Sequence, residues 1–465
     1  MQNIKQMIGG AVLSQAYSYL EGDPVENIPK LARLVGKIPG AQKYARTLST
    51  IDPMMADENN PWRNLILRVF REQSPETIKK FLNGFIINAS MLGSERAKIV
   101  LEEKGVRTPW AILMDPTSAC NLHCTGCWAA EYKRTDSLDR DTLDRIIREG
   151  KDLGTYFYIF SGGEPLMRKA DLIWLAERNS DCMFLAFTNG TLVDDHFASE
   201  LARVGNFALA ISVEGEGTAT DARRGEGVYD RVIAAMDRLR KVKAPFGFST
   251  CYTSKNVDQV ADERYLDFLI EKGCLFGWYF TYIPCGKDAQ VDLITPPEKR
   301  AMMYDRVHEW RDRKPIFLMD FWNDGEYVSG CIAGGKSYFH INAAGDVEPC
   351  AFIHYSDVNI KDVSLVEALK SPLFAAYQKG QPFNENHLRP CPLLDNPEAL
   401  RRIVQSTKAR STQPLDEEDV EDLTAKCEKA AQAWKPFADK IWKRVESQRN
   451  LSKNEANQGE TAKSA

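Results

Sequence analysis

The sequence predicts an α/β protein: a partial (β/α)6 barrel preceded by a helical domain and followed by a small C-terminal extension. Three observations predict it. From about residue 106 to 320, short β-rich runs alternate with longer helical ones, the pattern of repeated βα units around a parallel sheet. The first hundred residues hold no cysteine and place apolar residues at helical spacing, as in Ile78, Phe81, Leu82, Phe85 and Ile86. Cysteines then gather in two sets, one just after the first β-rich run and one beyond the last.

Composition narrows the class. The chain has 465 residues, more than one compact domain needs. With 43% hydrophobic and 27% charged residues it reads as a soluble globular protein, and a net charge of -5 argues against a general nucleic-acid binder. No stretch reaches the ~18 uninterrupted apolar residues of a membrane span, and no apolar core near the N-terminus makes a secretory signal. The cytoplasm is the expected compartment, with no membrane span and room for peripheral association. Eleven cysteines in a large intracellular chain point to metal or redox chemistry, not to a disulfide framework.

Residues 1–105 are expected to form a helical domain broken at Gly22-Asp23-Pro24, Pro39-Gly40 and Asp52-Pro53. One reading makes this domain a structural appendage. Another makes it a substrate-recognition cap, or an amphipathic surface that meets lipid or a partner.

The barrel, 106–320, has six candidate strands: Trp110 to Met114, Tyr156 to Phe160, Phe184 to Phe187, Phe207 to Val213, Phe246 to Tyr252 and Leu275 to Ile283. In parallel βα architectures the chemistry gathers at the carboxyl ends of the strands. The first strand leads into DPTSACNLHCTGCWAAEY, with Cys120, Cys124 and Cys127 spaced C-x3-C-x2-C. Thiolate sulfur suits iron-sulfur clusters and zinc. Zinc prefers four closed ligands, whereas three cysteines on one loop leave the fourth position of a 4Fe-4S cluster free for something that is not protein. After the second strand comes Ser161-Gly162-Gly163-Glu164-Pro165, whose glycines permit close backbone approach and whose carboxylate and carbonyls can accept hydrogen bonds from an ammonium group. The third strand ends in Thr188-Asn189-Gly190-Thr191, and the fourth in Ile211-Ser212-Val213-Glu214-Gly215, followed by Arg223-Arg224-Gly225.

These motifs together resemble the radical S-adenosylmethionine superfamily, over roughly residues 106–395. The resemblance implies that Cys120, Cys124 and Cys127 hold a 4Fe-4S cluster whose fourth iron is chelated by S-adenosylmethionine, and that one electron cleaves the sulfonium to give a 5′-deoxyadenosyl radical. It implies cofactor-binding roles for Gly162, Gly163, Glu164, Asn189, Ser212 and Arg224. For Arg223 a surface salt bridge is expected. Two positions depart from the family pattern: Glu214 stands where aspartate is usual, and Gly126 stands where the family commonly has an aromatic residue, so the adenine contact is expected to pass to Trp128 or to backbone.

Cys182, Cys251 and Cys274 sit singly among apolar residues and read as small buried hydrophobes. Cys285, after the sixth strand, reads as a packing residue in preference to a donor or radical-quenching thiol. Beyond the barrel, Cys331 precedes a β-like segment from Tyr338 to Cys350, and the turn at Ala344-Gly345-Asp346 suits a hairpin that folds Cys350 back toward Cys331. This spacing resembles the opening of a SPASM or twitch extension. Because the rest of the full SPASM cysteine pattern is absent, the resemblance implies one auxiliary 4Fe-4S cluster on Cys331, Cys350 and Cys391, in a region spanning 321–400. Its completion stays open between Cys427, which is expected to be solvated or packed, His354, expected to be an ordinary surface residue, and an iron left open for substrate. Zinc competes for this second set, since three thiolates and a histidine would satisfy it. Helices are expected over 401–450 and a disordered tail over 451–465.

The expected function is reductive cleavage of S-adenosylmethionine and hydrogen abstraction from a peptide, protein or lipid, with an electron donor such as flavodoxin or ferredoxin. The alternative is a non-catalytic protein holding zinc or iron-sulfur for structure.

Overall fold

The computed structural model describes residues 14–37, 41–129, 135–287, 289–413, 415 and 418–463. The N-terminal part is helical: α1 (Pro24–Gly36), α2 (Pro61–Glu72), α3 (Pro75–Phe81), a π-helical stretch Leu82–Leu92, and α4 (Gly93–Lys104). Asp23, Asn60 and Ser74 cap the first three of these through side-chain oxygens, each followed by proline in the first turn. The break expected at Asp52-Pro53 falls instead at Thr50, because Pro53 is tolerated in the opening turn of the short helix Ile51–Ala56. Pro39-Gly40 lies outside the described residues.

The barrel alternates as expected: β1 (Ala111–Met114), α5 (Arg140–Leu153), β2 (Phe157–Phe160), α6 (Lys169–Arg178), β3 (Met183–Thr188), α7 (Asp195–Val204), β4 (Phe207–Ser212), α8 (Thr218–Arg224), α9 (Val228–Lys241), β5 (Phe246–Tyr252), α10 (Glu263–Lys272), β6 (Phe276–Thr281), α11 (Pro297–Arg311) and β7 (Phe317–Asp320). All six expected strands are present and parallel, and β7 adds a seventh beyond β6. On the opposite edge β8 (Tyr338–Ile341) pairs parallel with β1, with Ala111 opposite Tyr338 and Leu113 opposite His340, and β9 (Val347–Glu348) turns back antiparallel on β8. The C-terminal extension is thus continuous with the barrel sheet. Its helices are α12 (Pro372–Gly380), α13 (Pro397–Thr407) and α14 (Val420–Lys463). Residues 451–463, expected to be a disordered tail, continue α14, since a helix already nucleated and packed upstream propagates one residue at a time through Ala, Glu, Gln and Lys.

Each strand reads as continuously apolar because it is buried on both faces. Tyr158, Phe160, Phe184, Leu209 and Phe248 join the core beneath the barrel helices. Their neighbours Phe157, Ile159, Met183, Leu185 and Ala210 face inward, in a second apolar cluster shared with the C-terminal extension.

The N-terminal helices pack against the amino ends of the strands, away from the cysteine loop. Arg68, nearly buried, donates to the carbonyls of Pro315, Ile270 and Cys274 at 2.8, 3.1 and 3.4 Å, which precede β7 and β6 or end α10. It is held by a two-pronged pair with Glu72. Asn88 donates to Asp181 O before β3, and Arg96 to Asp152 O before β2. The domain therefore plugs the barrel from beneath. Replacing Arg68 with Met strips charged hydrogen bonds of about 1.5–3 kcal/mol. Hydrogen exchange across 61–104 is expected to accelerate roughly 10- to 100-fold relative to the barrel strands, and unchanged exchange would contradict the plug.

Candidate functional site

The cysteine loop leaves the carboxyl end of β1 and is held on three sides. On the first, the turn after β2 grips its start: Gly163 N donates to Thr117 O at 3.1 Å and Glu164 N to Ala119 O at 2.8 Å. A Cβ on Gly163 would lie 2.2 Å from Ala119 O, so the glycine there makes room for the loop's own backbone. The Glu164 carboxylate is buried and accepts from Leu166 N, Thr188 Oγ1 and Asn189 N at 2.9, 2.6 and 2.8 Å. Burial pushes its pKa up against these three donors. With the carboxylate committed to protein donors, the turn's carbonyls are what it offers a ligand. Asn189 gives its side-chain amide to Asn121 Oδ1 at 2.9 Å, tying the end of β3 to the loop.

On the second side stands a buried ion cluster that sequence reasoning missed. Glu214, fully buried, accepts from Arg223 Nη1 at 2.6 Å and from Arg224 Nε and Nη2 at 3.0 and 2.5 Å, while its other oxygen takes Cys251 N at 3.0 Å. Arg223 is no surface salt bridge. It is bonded to the loop twice, since Thr125 N donates to Arg223 O at 2.8 Å and the side-chain Arg223 Nε donates to Thr125 O at 3.3 Å. Arg224 Nη1 reaches within 4.0 Å of Cys124 Sγ. Burial opposes the charge on Arg223, but Cys251, Glu214 and the loop thiols outweigh it and hold the pKa up. The signal for this cluster was glutamate in place of aspartate, whose longer reach serves two guanidiniums at once. Ser212 ends β4 on the inner face, half-buried.

The third side faces the extension. A Cβ on Gly126 would meet the Tyr282 hydroxyl at 2.8 Å, so the aromatic ring beside the loop comes from the residue after β6. Trp128, expected near adenine, turns the other way: its ring lies edge-on to His340 and packs near Phe352 and His354, with centroids 5.8, 5.7 and 6.1 Å apart. His340 is fully buried between Asp115 Oδ2 at 2.9 Å and Glu348 Oε2 at 2.6 Å. Burial works against its proton, but the two carboxylates outweigh it and raise the pKa to about 10.

The three cysteines of the second set share one small cavity: Cys331, Cys350 and Cys391 line it with Trp322, Tyr338 and Tyr377. The Tyr338 hydroxyl lies 2.7 Å from Cys350 Sγ and the Tyr377 hydroxyl 3.3 Å from Cys331 Sγ. Cys427 is absent from this lining and packs in the apolar core at zero exposure. His354 is buried, not a surface residue, and bonds Ala351 O through Nε2 at 3.0 Å. Cys285 is buried, as are Cys182 and Cys274, whereas Cys251 stands beside Glu214 on the inner face.

The thiols of both sets are not drawn in to single-ion distances. Zinc draws its donors to about 2.0–2.3 Å from a single centre. Among the described residues, no three His, Cys, Asp or Glu side chains are gathered to hold one ion. Burial pushes Cys120 up to about 11 and raises Cys127 and Cys350, so the thiols need positive charge beside them to ionise. A metal centre would supply it, aided at the first set by Arg223 and Arg224.

Residues 114–263 match the Radical SAM superfamily. The AdoMet-dependent heme synthase of Methanosarcina barkeri is 24% identical over 348 residues, covering 69% of this chain and 87% of its own. The PqqA peptide cyclase of Bradyrhizobium diazoefficiens is 25% identical, covering 55% of this chain and 70% of its own. Among solved structures, Streptococcus suis SuiB bound to precursor peptide SuiA shares the fold at 17% identity and a TM-score of 0.53, covering 72% of this chain and 80% of that one.

Two predictions test this geometry. Glu214→Gln leaves two buried guanidiniums without a carboxylate and is expected to cost about 3–5 kcal/mol in urea unfolding; a loss under 1 kcal/mol would mean the cluster is solvated. For His340, a folded pKa near 10 against an ordinary 6.5 means that its contribution is complete below pH 6.5 and is lost as pH rises toward 10. The stability gap between the wild type and His340→Gln should therefore narrow between pH 6.5 and 10, and a gap that stays constant would place the proton elsewhere.

Proposed function

We propose that this chain, a radical S-adenosylmethionine enzyme with a SPASM-type C-terminal extension, abstracts hydrogen from a peptide, protein or lipid substrate held in the barrel. The observation that carries this reading is the loop of three cysteines at the carboxyl end of β1, bracketed by Glu164 and by the Glu214 ion cluster. Cys120, Cys124 and Cys127 would hold the 4Fe-4S cluster, and Cys331, Cys350 and Cys391 the auxiliary one. When bound, cluster and S-adenosylmethionine supply a one-electron cleavage that yields methionine and a 5′-deoxyadenosyl radical, which takes a hydrogen atom from the substrate.

The chain's own residues do the rest. The carbonyls of Ser161 to Gly163 would receive the ammonium group, beside the loop that Gly163 N and Glu164 N hold. Arg224 stands near Cys124 with its charge retained, suited to a thiolate or a carboxylate. Ser212 and Asn189 close the ring at the ends of β4 and β3. Tyr282 sets the hydroxyl edge of its ring against Gly126.

The likeness to the PqqA peptide cyclase supports a peptide substrate. Anaerobic loading with iron and sulfide, then dithionite, is expected to release 5′-deoxyadenosine from S-adenosylmethionine. Cys124→Ala should abolish that release, and Cys350→Ala should keep some of it while lowering bound iron by about half, the share of one cluster in two. A fully loaded protein that leaves S-adenosylmethionine intact would overturn the reading.

A further inference from the structure

The two thiol sets are furnished with different hydrogen-bond donors. Beside the first stand guanidiniums, with Arg224 Nη1 4.0 Å from Cys124 Sγ. Around the second, none of the described residues lining the cavity is an acid, a base or a histidine. Its thiols meet neutral donors instead. Cys391 Sγ accepts from Leu393 N and Leu394 N at 3.4 and 3.3 Å, while Cys350 and Cys331 each face the hydroxyl of a tyrosine.

Both tyrosines are buried and fixed in place. Tyr338 opens β8 in register with Ala111, and its ring meets Phe321 edge-on at 5.9 Å. Tyr377 lies on α12, its ring edge-on to Phe383 at 5.0 Å and against Gly334, where a Cβ would come within 2.3 Å of Cδ1. Gly334 follows Cys331 by three residues and has φ +64°, so the turn that carries the cysteine also makes room for the ring. Neither hydroxyl has another hydrogen-bond partner among the described residues. Phenylalanine would fill the same space, and a buried hydroxyl is costly unless something satisfies it. Here the sulfurs do.

A thiol can give or take such a bond, but a thiolate on iron has no proton to give, so with a metal centre bound the tyrosines are the donors. Three thiolates leave a 4Fe-4S core with net negative charge, and reduction adds to it. An apolar cavity opposes that added charge, whereas hydrogen bonds to the sulfurs favour it. We propose that Tyr338 and Tyr377 are positioning residues of the second cluster, acting through Cys350 and Cys331: each donates its hydroxyl proton to the thiolate it faces and raises the reduction potential of the cluster. The proposal rests on the reading of Cys331, Cys350 and Cys391 as auxiliary-cluster ligands.

The test uses the full chain carrying Cys120→Ala, Cys124→Ala and Cys127→Ala, shown folded by circular dichroism, so that anaerobic iron and sulfide load the second set alone. The reduced cluster is followed by electron paramagnetic resonance through a redox titration. At the midpoint of this parent, Tyr338→Phe is expected to lower the ratio of reduced to oxidised cluster about tenfold, a downward shift of about 59 mV for a one-electron couple. Tyr377→Phe, which removes the more distant hydroxyl, should lower it about threefold. A change under about twofold in both variants would overturn the proposal. So would a phenolate-to-iron charge-transfer band in the parent that either substitution removes, because the tyrosine would then be an iron ligand. Should a variant not load, the parent grown on 3-fluorotyrosine decides. Its more acidic hydroxyl is a stronger donor, so the midpoint is expected to rise, and one that stays or falls would overturn the proposal. A folded parent that binds no cluster removes the auxiliary-cluster reading itself, whereas a bound cluster indifferent to both hydroxyls removes the tyrosine proposal alone.

Discussion

His340 lies where β1 and β8 run side by side, with one carboxylate from the end of β1 and another from β9 against its ring. A lone imidazolium in that position would lose several kcal/mol of hydration, and two lone carboxylates would lose more. Together they offset that loss, and the arrangement exists only while β8 stays in register beside β1. Asn342 and Thr412 add hydrogen bonds to the second oxygen of Glu348, at 3.1 and 2.5 Å, so the carboxylate's acceptor capacity is used. The consequence is positional. Asp115 opens the first cysteine loop, and the β8–β9 hairpin leads to Cys350 of the second set. One buried ion triad thus fixes the spacing of both thiol sets, with Trp128 and Phe352 filling the ground between them.

Much of this was legible in the residues. The spacing of Cys120, Cys124 and Cys127 after an apolar run placed a thiol loop at a strand end, and the glycine at 345 placed the hairpin that returns Cys350 to Cys331. Alternation of short and long periodic segments located six strands within a residue or two. These signals are local, set by spacing and turn chemistry along the chain.

What was not legible depends on pairing across the chain. Nothing near Tyr338 to Ile341 announces that this segment lies against β1, more than two hundred residues earlier, since a strand buried on both faces looks the same wherever it pairs. Arg223 read as a surface residue because charge usually means solvent, and only the buried position of Glu214 reverses that. Glu164 read as a ligand for an ammonium group because a carboxylate after two glycines can be one. The structure instead commits it to Thr188 and Asn189, through donors on a different strand. The N-terminal helices carry amphipathic patterning that says they pack, but not that Arg68 would seek carbonyls at the amino ends of β6 and β7.

The two ends of the barrel consequently differ in kind. At the carboxyl end, Glu214, Arg223 and Arg224 place one net positive charge beside the first thiol set, in surroundings too buried for water to screen it well. Below that end the inward side chains of β3 to β6 are uncharged, whereas Asp115 and His340 put charge at the end of β1 and on the inner face of β8. Phe187, Trp278 and Phe280 pack ring against ring there and carry no side-chain hydroxyl or amide. Charge is thus gathered at the carboxyl end and along the seam of β1 and β8, next to the two thiol sets, where buried thiols do not ionise without positive charge beside them.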